Sequence, residues 1–133
     1  KQFSIDFAIE FESNLINKQS CQLQLINGNY KSDISAARTF GFEKDVDYLR
    51  SNGLALGGSL DNAVVVGEHN ILNKGGLRFD DEFVRHKILD SIGDLYLAGN
   101  PIQGYFYGNK SGHFLNNQLL KKLFSDKSNF NLI

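Results

Sequence analysis

A chain of 133 residues, 41% hydrophobic and 12% aromatic, is long enough to bury one core and too apolar to stay disordered. Its formal charge of -1 gives no pull toward nucleic acid or an anionic membrane surface, and no apolar run approaches the roughly 20 residues that cross a bilayer. The single cysteine, Cys21, excludes an internal disulfide framework and fits a reducing, cytoplasmic setting, with no signal peptide in view.

The chain begins at Lys1 and holds no methionine, so it is expected to be a piece of a longer translation product. Phe3, Ile5, Phe7, Ile9 and Phe11 alternate with polar neighbours, which predicts a half-buried strand over residues 2–11. The alternation returns at 21–26, expected to pair antiparallel with the first strand. Residues 30–37 suit a short helix. Val46 and Leu49 give residues 43–51 helical spacing, ended by the stop signal Asn52-Gly53. Residues 54–66 read as extended chain, a glycine bend, then a strand ending near Val66, and Leu77 to Phe79 suit a further short strand. Asp80 or Asp81 is placed to cap a long helix over 81–97, with Gly99 as its terminator. A short aromatic strand is expected over 102–107, and Ser111 opens a last helix to about Ser125. This order predicts an α+β fold: a two-layer sandwich of one mainly antiparallel sheet with helices on one face.

Three places can carry chemistry. On the 81–97 helix, His86, Asp90 and Asp94 stand at i, i+4 and i+8 and therefore stack on one stripe. An imidazole and a carboxylate one turn apart can close on one zinc ion, with ligand distances of roughly 2.0–2.2 Å; the same stripe also suits a solvated polar face over a metal-free core. Gly93, at about 1 kcal/mol relative to Ala inside a helix, suggests close approach by another group. His113 falls in the first turn after Ser111, where exposed N–H groups attract anions and a carboxylate such as Asp94 could poise the ring to donate a proton; a surface histidine beside a cap is the simpler reading of the same residues. From Ala36 to Val66, apolar side chains stand beside glycines, suiting either a wall for a long acyl chain or ordinary turn and core packing. His69 reads as a loop residue and Cys21 as a core or edge residue.

Together, Ala37-Arg-Thr-Phe-Gly-Phe, Gly53-Leu-Ala-Leu-Gly-Gly-Ser-Leu-Asp-Asn-Ala, the run from Leu77 to Leu95 and Lys110-Ser-Gly-His-Phe-Leu-Asn-Asn resemble, in order, the zinc-dependent UDP-3-O-acyl-N-acetylglucosamine deacetylases. These enzymes commit a lipid A precursor to synthesis in Gram-negative bacteria. The resemblance covers nearly all of residues 1–133 but only the second, C-terminal domain of the family. It implies Zn(2+) as cofactor, a UDP-linked acyl glucosamine as substrate and the absent first domain as partner. His86 and Asp90 are then two of three protein zinc ligands. His113 resembles the histidine that protonates the departing amine or stabilises the oxyanion, and Asp94 the carboxylate that orients it. Lys87 matches the lysine near the substrate's polar head, and Thr39 the hydroxyl beside the tetrahedral intermediate. Phe40, Val46, Ala55, Gly58, Ser59 and Val65 fall where a βαβ-type insert, at about 44–66, forms a passage for the acyl chain.

The family's third ligand, a histidine, and its general-base glutamate belong to the first domain. Amide hydrolysis needs a fully held metal with an open water position and a base, so this chain alone is expected to be inactive. The alternative is a non-catalytic acyl-sugar binding or regulatory module of the same fold. Against it stands the joint presence of His86, Asp90, Asp94 and His113, a set that binding alone does not require.

Overall fold

A computed structural model describes residues 2–26 and 28–133. The opening alternation becomes strand β1 (Phe3–Glu10), which lies at the centre of a three-stranded sheet ordered β2-β1-β5. Strand β2 (Lys18–Leu25) pairs antiparallel with it, Phe7 opposite Cys21, and β5 (Gly104–Asn109) pairs parallel, Ile5 opposite Phe106. Because successive side chains point to opposite faces, Ile5, Phe7, Ile9 and Phe106 share one face and are buried there. Tyr105 and Tyr107 stand exposed on the other face, where the Tyr105 hydroxyl donates to Asp6 Oδ2 at 2.9 Å.

A second, two-stranded sheet pairs β3 (Thr39–Phe42) parallel with β4 (Ala63–Val66), joined through the short helix α1 (Val46–Ser51). This β-α-β unit runs from Thr39 to Val66, its first strand lying before the stretch at about 44–66 expected for the insert. Helix α1 stops at Asn52-Gly53 as its sequence requires, Gly53 taking φ +73°. The expected preponderance of antiparallel pairing is corrected: of the pairs between named strands one is antiparallel and two are parallel. Pairing with a distant strand has no local signature.

Helix α2 (Glu82–Leu95) buries Phe83, Val84, Ile88 and Leu95 against β1 and β2. It runs into a 3-10 turn at Tyr96–Ala98 and ends at Gly99 in the left-handed conformation, φ +77°. Helix α3 (His113–Phe124) packs on α2 and adds Leu120 to the same core. Phe40 of β3 meets Phe83 edge-on, ring centres 5.0 Å apart, and so joins the small sheet to α2. No helix is long and apolar enough to cross a membrane among the described residues.

Several local expectations are corrected. Residues 30–37 form only a π-helical turn over Tyr30–Ile34. Leu77 to Phe79 are no strand, because the Arg78 N–H is taken by the Glu82 carboxylate at 2.7 Å instead of a ladder partner. Asp81 occupies the N-cap position of α2 but its carboxylate pairs with Arg85. Gly112, not Ser111, is the N-cap of α3; the Ser111 hydroxyl is buried without a hydrogen-bond partner. Nothing lies within 4 Å of where a Gly93 side chain would begin, so no close approach explains that glycine.

Candidate active site

Helix periodicity sets His86 and Asp90 one turn apart on α2, and one neighbour orients the pair. The His86 Nδ1 lies 3.0 Å from the Ala37 carbonyl; a carbonyl only accepts, so Nδ1 carries a proton, and Nε2 faces Asp90 Oδ1 at 3.2 Å, donating to it when the ring is protonated on both nitrogens. Both side chains are largely buried, 14% and 18% exposed. Burial alone would lower the His86 pKa, but the hydrogen bonds to Asp90 and Ala37 outweigh it and hold it above the usual 6.5. Burial opposes ionisation of Asp90 too, yet the His86 hydrogen bond and the positive charges of His86, His113 and Lys87 keep its carboxyl below the usual range.

His113 comes from the first position of α3. Its Nδ1 meets Asp94 Oδ2 at 2.8 Å and Oδ1 at 2.9 Å, while Nε2 lies 3.9 Å from Asp90 Oδ2. The ring is 70% exposed, so its free edge is open to solvent. Asp90 therefore stands between two imidazoles, and the i, i+4, i+8 stripe resolves into a His86–Asp90 clip and an Asp94 support for His113.

Two residues that local pattern does not single out complete this support. Asn116 is buried, and its amide donates to Asp94 Oδ2 at 2.8 Å and to Ser91 Oγ at 3.3 Å; the Ser91 hydroxyl donates to the Lys87 carbonyl at 2.9 Å. Their one sequence cue is spacing: His113 and Asn116, at i and i+3 on α3, meet the same carboxylate. A Cβ on Gly112 would sit 3.4 Å from Lys87 Nζ, so that glycine leaves room for the ammonium beside the start of α3. A cation next to a helix N-terminus suits an anion.

The remaining expected residues are spread over the insert. Thr39 is exposed at the start of β3, two residues beyond Ala37. Phe40 and Val65 point to opposite faces of the small sheet, Phe40 meeting Phe11 and Phe83 edge-on in the core. Val46 and Gly58 are half-buried; Ala55, at φ +53°, and Ser59 are exposed. The open apolar side chains of this region are instead Tyr48, Leu54, Leu56 and Leu60, between 53% and 73% exposed.

Imidazole nitrogen with carboxylate oxygen is a zinc donor set, and the His86–Asp90 geometry fits two of the ligands of such an ion. Among the described residues no cluster of three His, Cys, Asp or Glu side chains completes one.

A family model described as LpxC, UDP-3-O-acyl N-acetylglycosamine deacetylase, matches residues 1–125. The chain belongs to this deacetylase family. The UDP-3-O-acyl-N-acetylglucosamine deacetylase of Psychrobacter arcticus is 54% identical over 133 residues, covering 98% of this chain and 42% of the relative. That of Idiomarina loihiensis is 56% identical over 128 residues, 95% of this chain and 42% of the relative. That of Coxiella burnetii is 53% identical over 133 residues, 98% of this chain and 44% of the relative. The deacetylase-family chain thus spans about two fifths of the length of the curated relatives it matches.

Proposed function

We propose that this chain is the C-terminal domain of a zinc-dependent amidohydrolase that removes acetate from a UDP-3-O-acyl-N-acetylglucosamine. The paired constellation His86–Asp90 and His113–Asp94 carries the reading, supported by the family membership and by relatives of more than twice this length. In this reading the fold is one half of a two-layer α+β architecture, and the remaining ligand and a general base come from outside the chain.

Hydrolysis adds water across the acetyl C–N bond, giving acetate and a free amine. His86 and Asp90 would hold the zinc, which when bound supplies Lewis acidity to the acetyl carbonyl and to water. An amine leaves only once its nitrogen gains a proton. His113 suits that step, because Asp94 grips Nδ1 and leaves Nε2 at an open edge to hand the proton over. Thr39 would donate from its hydroxyl to the oxyanion. Lys87, beside the α3 N-terminus, would bind the anionic nucleotide head, and the exposed Leu54, Leu56 and Leu60 would cover the acyl chain.

The test is deacetylation of UDP-3-O-acyl-N-acetylglucosamine by the whole enzyme that contains this chain. His113→Ala is expected to lower kcat by about 10²–10⁴-fold with little change in KM; an unchanged kcat would refute the assignment.

A further inference from the structure

We propose that the buried Arg38–Glu82 pair is a positioning device: it presents the Ala37 carbonyl to His86 and so decides which imidazole nitrogen faces Asp90. The proposal rests on His86 being a metal ligand, as proposed above.

Glu82 is wholly buried one helical turn before His86 on α2. Its Oε1 accepts from the Arg38 backbone N–H at 2.9 Å and from Arg38 Nε at 2.8 Å. Its Oε2 accepts from Arg38 Nη2 at 3.0 Å and from the Arg78 N–H at 2.7 Å. The two arginines then cross-brace the segments they come from: Arg38 Nη2 donates to the Gly76 carbonyl and Arg78 Nη1 to the Ala36 carbonyl, both at 2.8 Å. Residues 36–38 are thereby tied to the first turn of α2 from both sides of Ala37. The one carbonyl left between these ties is that of Ala37, and it meets His86 Nδ1 at 3.0 Å.

The chemistry of the link is specific. A buried ion pair is a weak source of stability, since desolvating two charges offsets most of their attraction and packed apolar side chains would hold the segment as well. An apolar pair, however, could not aim a carbonyl through four directed hydrogen bonds. With the carbonyl in place the ring proton stays on Nδ1 and the Nε2 lone pair is free for a cation. Partners that orient a ligating histidine in this way typically govern 10–100-fold of metal affinity.

Calorimetric titration of the metal-free whole enzyme that contains this chain with zinc chloride tests this, with thermal unfolding as the control for folding. Glu82→Gln, which keeps the volume but loses acceptor capacity, is expected to weaken zinc binding 10–100-fold in a chain that still unfolds cooperatively. Glu82→Asp, which keeps the charge, is expected to recover part of that loss. A folded Glu82→Gln chain with the parent's affinity would overturn the proposal alone. Absence of zinc binding in the parent, or undiminished binding in His86→Ala, would overturn the ligand reading and the proposal with it. Should Glu82→Gln not fold, the ¹⁵N–¹H correlations of the His86 ring in the zinc-saturated parent decide: a proton on Nδ1 is expected, and a proton on Nε2 overturns the proposal.

Discussion

The Asp94 carboxylate serves two partners on α3 at once, His113 from the first position of the helix and Asn116 one turn later. Removing its charge with Asp94→Asn leaves the His113 ring free to rotate and to change tautomer. In the whole enzyme kcat is expected to fall at least about 10²-fold, read from the initial rate at saturating substrate. Asn116→Ala removes a hydrogen bond to a charged group inside the protein and is expected to cost about 1.5–3 kcal/mol of stability, measured by urea unfolding. Glu82 makes a different kind of prediction. Burial opposes its ionisation, but hydrogen bonds from Arg38 and Arg78 more than offset this, and its pKa lies below the ordinary 4.5. The unfolded chain therefore takes up this proton more readily than the folded one. The contribution is complete above the unfolded value of about 4.5 and is lost as pH falls through the lower folded value. Urea midpoints of the parent and Glu82→Gln should accordingly differ most near neutrality and converge in acid.

Two glycines separate at the level of elements. Gly108 lies in β5 opposite Phe7 of β1, and a Cβ there would sit 2.4 Å from the Phe7 ring. Gly108→Ala is expected to destabilise the chain by about 1–3 kcal/mol through overpacking, seen as a lowered urea midpoint. Gly93 stands exposed in α2 with open space around it, so Gly93→Ala is expected to stabilise by about 0.5–1 kcal/mol through helix propensity. The same contrast explains what was legible in the residues. Strands β1 and β2 and the body of α2 follow from local period, and the i, i+4 relation between His86 and Asp90 is a property of any helix. Gly108 looks like a turn residue until Phe7 is placed beside it. Leu77-Arg-Phe alternates like a strand, but a carboxylate four residues onward claims its central N–H. Ser111 is a better N-cap residue than glycine by propensity, yet Gly112 holds the cap position beside Lys87. Ala37 acts across a tertiary contact that nothing in its own neighbourhood announces, and Asn116 offers only its i, i+3 spacing from His113.

For the molecule as a whole, the proposed division of the ligand set has a direct consequence. The chain alone is expected to show no deacetylation above the uncatalysed rate in an assay of acetate release; addition of the remaining segment of the enzyme in trans should restore turnover, and turnover by the chain unaided would refute the division of the ligand set. The sheet carries a consequence of another kind, one of timing. Its central strand begins at Phe3 and its parallel partner begins at Gly104, about a hundred residues later, and the two meet directly in register. The hairpin of β1 and β2 can close early, but the second edge of β1 stays open until β5 has been synthesised and the intervening loop closed. Such long-range parallel pairing slows folding relative to a domain built from local contacts. During synthesis the unpaired backbone edge of β1 is open to capture by another β-strand. The arrival of β5 closes that window.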